Sequence, residues 1–235
     1  MPLPPLDSQA LTGRARNHVV DMENPRCTLH PSAADAWLGL RAAAAVDGFD
    51  LHPISSFRDF DRQLGIWNAK YRGEKILLDR SGQPLDYNSL PESQRIDTIM
   101  AWSALPGASR HHWGTELDVI DLGALRAERQ RNPEFHAQMV PAEFAPGALF
   151  GPLDDWLQRN LTHFGFFRPY AQDLGGVMPE PWHISFSPVA SVALASFQPW
   201  MLAEALAGRD VAGLADIERR LPQLVERYVF RIVAG

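Results

Sequence analysis

Two stretches of this chain gather side chains capable of metal chemistry. The first reads Ser109-Arg110-His111-His112-Trp113-Gly114-Thr115-Glu116-Leu117-Asp118, and the second Glu180-Pro181-Trp182-His183. In the first, His111 and Asp118 stand seven positions apart with a glycine between them. In the second, His183 follows Glu180 by three. Two imidazoles and one carboxylate, with a fourth position left open, suit a catalytic zinc ion. The spare carboxylate of Glu180 is then free to take a proton from an attacking water. Neither spacing is specific alone. The chain has eight histidines, so chance histidine–carboxylate spacings are expected, and a structural pair explains each one as well. The density of the two strings together favours a site.

These residues need rigid elements to hold them. If Gly114 and Thr115 were the centre of a type II′ hairpin, His111 would lie opposite Asp118; a looser turn would also serve. Residues 117–120 alternate as a half-buried strand does. Pro181 biases Glu180 towards an extended backbone, and residues 182–186 are strand-like. Upstream, Leu51–Ser55 reads as a strand, followed by a helix through Trp67 and Tyr71. Arg58 falls at that junction, where binding groups often project; pairing with Asp59 or Asp61 is the competing account.

Elsewhere, residues 1–30 read as an irregular arm. Ser32 is placed to cap an alanine-rich helix over 33–46, ended by Gly48, with Trp37, Leu40, Ala44 and, at the margin, Leu38 forming the buried stripe. Residues 75–87 suggest a surface hairpin or flap, and a helix starts near Pro91 and runs past Trp102. Residues 122–150 read as a surface excursion, 153–163 as a helix and 165–167 as a short strand. Residues 173–178 suggest a mobile loop, and 190–207 and 214–228 are helical.

A length of 235 residues with 46% hydrophobic composition suits one soluble globular domain. The net charge of −6 argues against nucleic acid and against a polybasic membrane surface. There is no run of roughly 18 apolar residues to span a membrane. The single cysteine, Cys27, excludes an internal disulfide and reads as a packed thiol. Residues 1–7 lack the pattern of a secretory signal, so the expected address is cytoplasmic.

Taken together, Ser-x-His-x-x-Gly-x-x-x-Asp and Glu-x-x-His resemble the motifs of the VanY/VanX-like D-alanyl-D-alanine carboxypeptidases and dipeptidases, the M15 metallopeptidases of the Hedgehog/DD-peptidase fold. The likeness extends to Ser56-Phe57-Arg58 with Gln63, to Leu105-Pro106-Gly107-Ala108-Ser109 and to Gly165-Phe166. It implies one Zn2+ ion held by His111, Asp118 and His183, with Glu180 as general base and acid. It also implies that Arg58 stabilises the transition state or holds substrate, and that Ser109 and Gln63 contact substrate. The implied substrates are peptidoglycan stem peptides or muropeptides that lose a terminal D-alanine, by L,D-cleavage of tetrapeptides or D,D-cleavage of pentapeptides, the former slightly favoured. An endolysin-like endopeptidase and a non-catalytic zinc-binding module are the alternatives on the same fold. Where the family usually has a small residue, this chain has Glu116, which would reshape the pocket or partner a metal-bound histidine from behind. His112, adjacent to a ligand, should point away.

The fold expected is α+β: a small, mostly antiparallel sheet carrying the ligands, flanking helices and a helical C-terminal extension. The division expected is a single zinc peptidase domain over 1–235, with an arm at 1–30, a catalytic core at 50–190 and the extension at 190–235.

Overall fold

The computed structural model describes residues 5–235. Residues 1–4, part of the stretch that shows no secretory pattern, lie outside the described residues. The chain enters through a short helix α1 (Ser8–Leu11) and a hairpin of β1 (Val20–Glu23) and β2 (Arg26–Leu29). Over residues 5–30, the irregular arm expected at 1–30 is instead ordered structure, with Leu11 and Leu29 fully buried. Its strands are four residues long and alternate apolar with polar residues, Val20 and Met22 pairing with Leu29 and Cys27 on one face.

Helix α2 (Pro31–Val46) begins two residues before the expected start. Pro31 suits the first helical position, and the cap is His30 rather than Ser32: His30 Nδ1 accepts the Ser32 N–H at 3.2 Å. Trp37, Leu40 and Ala44 are fully buried, as their spacing predicts, whereas Leu38 falls outside that stripe and is exposed. Strand β3 (Leu51–Ser55) matches its sequence prediction, and helix α3 (Phe60–Tyr71) follows, capped by Asp59. The flap is a hairpin of β4 (Leu77–Leu78) and β5 (Pro84–Leu85). Helix α4 (Glu92–Met100) stops before Trp102. The remaining elements are β6 (Glu116–Asp121), α5 (Leu122–Arg131), α6 (Gly151–Asn160), β7 (Phe166–Phe167), β8 (His183–Phe186), α7 (Ser187–Ser196), α8 (Pro199–Leu206) and α9 (Leu214–Val225), ending in a π-turn over Glu226–Phe230. The helix expected across 190–207 breaks at Phe197-Gln198, bending by 80°, because Pro199 disfavours helical backbone at Gln198. Among the described residues no single helix is long and apolar enough to cross a membrane.

The fold is α+β, built on a four-stranded antiparallel sheet in the order β3-β6-β8-β7. Its central pair sets the chemistry. In β6, Leu117 and Val119 share one face while Glu116, Asp118 and Ile120 share the other. In β8, Ile184 and Phe186 lie on the first face, and His183 and Ser185 on the second. The apolar face packs on Trp37 and Leu40 of α2 and on Trp156 and Leu157 of α6. The polar face is roofed by loops and by the second core. That core joins Trp67, Ile96, Ile99 and Trp113 to Ala193, Phe197, Leu202, Ile217 and Leu224, so the C-terminal helices pack directly against the ligand turn. The half-buried alternation expected in β6 survives in chemistry but not in exposure, since Glu116 and Ile120 are as buried as Leu117. Residues 122–150 are more than an excursion: Phe144 and Phe150 pack with Ile120 and Trp182.

The ordered N-terminal segment bears on the site through Gly13, whose φ is +73° and whose missing Cβ would sit 2.3 Å from His112 Nδ1. Replacing it with alanine combines left-handed strain with overpacking. Gly13→Ala is expected to cost about 2–4 kcal/mol in urea unfolding. Gly65→Ala, on α3 with nothing within 4 Å, should instead be neutral or gain up to about 1 kcal/mol.

Candidate metal centre and cleft

Register places the ligands. Asp118 pairs directly with His183 across β6 and β8, and Glu116 with Ser185, so four polar side chains form a square on one face. His111 arrives differently from the hairpin expectation. It lies in a 3-10 turn, Arg110–Trp113, closed by Gly114 at φ 69°. That turn drops the chain straight into β6, and the residues opposite Asp118 are Ser55 and His183 rather than His111. A side chain at Gly114 would strike Val19 and the His30 backbone, so the arm's close approach sets the turn.

The donor atoms of His111, Asp118 and His183 all lie within 4.8 Å of one another. Each imidazole has its other nitrogen engaged. His111 Nδ1 donates to the Ser56 carbonyl at 2.7 Å, leaving Nε2 facing Asp118 Oδ2 at 3.3 Å. His183 Nε2 donates to Glu116 Oε2 at 2.7 Å, leaving Nδ1 towards Asp118 Oδ1 at 2.9 Å. Two oriented imidazoles and a carboxylate fit a zinc ion, with the outer partners that fix ring orientation.

The protonation states follow from these contacts. Burial and the nearby Arg58 charge lower His111 to about 4. Burial works against a charged His183 ring, but its hydrogen bonds to Asp118 and Glu116 outweigh this and raise it to about 10. A cation at Nδ1 would replace that proton. Burial alone would raise Glu116, yet the Arg110 charge and the donors His183 and Ser185 hold it down at about 2. Arg110 Nη2 lies 3.2 Å from Glu116 Oε1 and also donates to Ser185 Oγ at 2.8 Å. Glu116 is thus the partner of the ligand histidine, compensated by a buried arginine.

Glu180 sits beside this group, its Oε2 3.6 Å from His183 Nδ1. The His183 N–H donates to the Glu180 carbonyl at 3.0 Å, a tight turn with Pro181 at its favoured position, so both side chains face one way. Burial raises Glu180 to about 7 from its ordinary 4.5. Arg58 donates from Nη1 to Gln63 Oε1 at 2.9 Å and lies 3.9 Å from Asp118 Oδ2; Asp59 caps α3 instead of pairing with it. Arg58, Ser109, His111, Asp118, Glu180 and His183 line one cleft of about 290 Å³.

Gln63 does not line it. Gln63 is fully buried, and its Nε2 donates to the Ala104 carbonyl at 2.8 Å, so the expected substrate contact gives way to holding Arg58. His112 points away as expected: its Nδ1 donates to the Arg58 carbonyl at 2.6 Å and its Nε2 accepts the Gly107 N–H at 3.1 Å. Cys27 is buried outside the cleft, with burial raising its thiol to about 11, which excludes a ready nucleophile. The loop expected to be mobile is tied down by Arg80, 2.8 Å from Asp173, and by Arg227 Nε donating to the Gly175 carbonyl at 2.6 Å.

Several lining residues carried no sequence signal. Tyr170, whose ring is 5.0 Å from that of His183, stands in a loop without pattern. Gln138 and Met139 enter from the 122–150 segment, their N–H groups both held by the Glu143 carboxylate. Lys70 was findable, since it follows Gln63 by seven residues and so shares its face of α3.

This arrangement is that of a metallohydrolase: a two-histidine, one-aspartate group with a free carboxylate at its edge. A profile described as VanY: D-alanyl-D-alanine carboxypeptidase matches residues 26–189, beginning in β2, upstream of the expected core at 50. The chain is 42% identical over 103 residues to an uncharacterised protein of Haemophilus influenzae, covering 43% of this chain and 70% of that one. Among solved structures, VanYB in complex with D-alanine-D-alanine gives a TM-score of 0.52 at 19% identity, covering 81% of this chain and 89% of that chain. A variant of the vancomycin resistance D,D-pentapeptidase VanY in complex with Zn(II) gives 0.50 at 21%, covering 80% and 88%. At these identities the two structures speak for the fold. The chain belongs to the VanY family of D-alanyl-D-alanine carboxypeptidases.

Removing Glu116 separates its two jobs. Glu116→Ala strands Arg110, and the expected loss is about 3–5 kcal/mol in urea unfolding. Metal affinity should fall about 10- to 100-fold in a chelator competition. Adding Arg110→Met should recover stability but not metal affinity.

Proposed function

We propose that this chain is a zinc-dependent carboxypeptidase that releases terminal D-alanine from peptidoglycan-derived peptides, by L,D-cleavage of tetrapeptides or D,D-cleavage of pentapeptides. The observation carrying this reading is the convergence of His111, Asp118 and His183 with Glu180 at their edge. Family membership and the Zn(II) and D-alanine-D-alanine complexes of the fold neighbours support it.

His111 Nε2, Asp118 and His183 Nδ1 would hold the ion, which when bound supplies a Lewis acid that polarises the scissile carbonyl and acidifies water. Glu180 takes the proton of the attacking water on its carboxylate and returns it to the leaving amine. A carboxyl near neutrality can do both, since neither transfer is strongly uphill. Arg58, clamped by Gln63 and facing the cleft, stabilises the negative charge that develops on the carbonyl oxygen. Ser109 offers a hydroxyl on the same wall for the peptide backbone. The buried setting excludes bulk water and strengthens each of these interactions.

The test is cleavage of tri-, tetra- and pentapeptide fragments with mass detection, with and without chelator. Release of alanine from the tetrapeptide alone marks L,D-cleavage, and from the pentapeptide alone D,D-cleavage; cuts inside the stem would overturn the carboxypeptidase reading. Glu180→Gln should keep its metal and lose about 100- to 10,000-fold in kcat, whereas His183→Ala should lose metal as well. Glu180 must be ionised to accept the proton, so kcat/KM should fall on the acid side with a midpoint no higher than about 7. A cation at the triad draws that midpoint down towards 4.5. The residual activity of Glu180→Gln should lack this limb.

A further inference from the structure

The cleft contains three cations, and two are taken. Arg58 is engaged by Gln63 and faces Asp118, and Arg110 is engaged by Glu116 and Ser185. The third is Lys70. It stands on α3 seven residues beyond Gln63, about 10 Å farther along the helix axis on the same face. Its side chain lines the main cleft with Glu180 and Tyr170. It also lines a side groove under the flap, which shares Leu78, Trp102 and Gln138 with the cleft. Its electrostatic neighbours act through space only: Glu180 favours the ammonium, and Arg58 and Lys75 oppose it. No hydrogen bond or ion pair satisfies it among the described residues. The side chain is half-buried and burial lowers its pKa to about 8, while the ammonium has no counter-ion among the described residues.

A half-buried ammonium on the cleft wall with no partner of its own is free to pair with an anion that enters the cleft. We propose that Lys70 is a carboxylate-binding subsite of the cleft, pairing with a substrate carboxylate that lies outside the scissile amide. This rests on the peptidase reading above. Two carboxylates of such a peptide meet the description: the terminal one on the leaving residue, and one on the side chain of the residue before it, entering the groove under the flap. Because the pair forms equally in the bound peptide and in the transition state, it acts on binding rather than on turnover.

The experiment compares Lys70→Met with the parent, both zinc-loaded. Peptide affinity is measured by calorimetry in a Glu180→Gln background, where the peptide persists, and KM and kcat are measured with Glu180 intact. Four peptides are used: the free acid with a carboxylate on the penultimate side chain, the same peptide amidated at the terminus, the same amidated at the side chain, and one amidated at both. Lys70→Met is expected to weaken binding of the free acid about 10- to 100-fold, as for loss of a charge-assisted hydrogen bond. KM should rise in step and kcat stay nearly constant, and Lys70→Arg should restore most of the affinity. The penalty should vanish on the doubly amidated peptide. Its disappearance with one single amide identifies which carboxylate Lys70 holds, and either result supports the subsite. Equal affinities for parent and variant, a penalty of the same size on the doubly amidated peptide, or no binding of any acid peptide overturns it. If nothing is cleaved but the affinity pattern holds, the peptidase reading fails and the subsite stands.

Discussion

The site depends on one strand pairing. The β6–β8 register sets Asp118 against His183 and Glu116 against Ser185, and every other polar group near the cleft answers the consequences. A single-residue slip would turn Leu117 and Ile184 towards the cleft and bury the carboxylates against α2 and α6. The register is held from the apolar side, where Leu117, Val119 and Ile184 are fully buried. The chemistry on one face is therefore fixed by the packing on the other.

Placing two carboxylates and two histidines in a dry site creates a desolvation cost, and the surrounding residues are its compensation. Arg110 neutralises Glu116 from behind and lies over the Trp113 ring, 4.6 Å from its centroid. Arg58 neutralises Asp118 from the side. Each guanidinium is positioned by a second side chain, Ser185 and Gln63 respectively. This also accounts for Glu116 standing where the family usually has a small residue. With Arg110 opposite it, the extra carboxylate completes a chain from Arg110 through Glu116 to His183, which fixes the ring that presents Nδ1. The pair is self-consistent: either member alone would be an unmatched buried charge.

Most of the candidate metal-binding group was legible because its motif spacing is tied to local geometry. Glu180 and His183 are brought together by one turn, and Asp118 sits on a strand whose alternation is visible. Arg58 was legible as a junction residue, with β3 ending where predicted and α3 running through Trp67 to Tyr71. His111 was legible as a residue but not in its geometry, because a 3-10 turn closed by a left-handed glycine and a type II′ hairpin use the same amino acids. Gln63 was misread as a substrate contact, since spacing cannot tell a side chain aimed into a cleft from one aimed at its neighbour. Tyr170, Gln138 and Met139 were invisible for a different reason: they come from irregular segments whose course is set by tertiary contacts such as the Glu143 carboxylate. Lys70 shows a periodicity signal that went unused, an apolar helix face interrupted by one charge.

The N-terminal end was the least legible part, and both ends bear directly on the turn that carries His111. From the N-terminal side, the Leu11 carbonyl accepts Trp113 Nε1–H at 3.1 Å, the Gly13 carbonyl accepts the Phe60 N–H at 2.8 Å, and the His30 N–H donates to the Gly114 carbonyl at 2.8 Å. From the C-terminal side, Ala193, Phe197 and Leu224 share the core that holds Trp113. The turn carrying His111 is thus gripped between segments from opposite ends of the sequence, and its aim at Asp118 is set by neither motif alone. A local motif can supply the donor atoms. Fixing one of them within bonding reach of a common point requires packing contributed over most of the chain, and the N-terminal strands that contribute it alternate over only four residues each, too short a run to stand out.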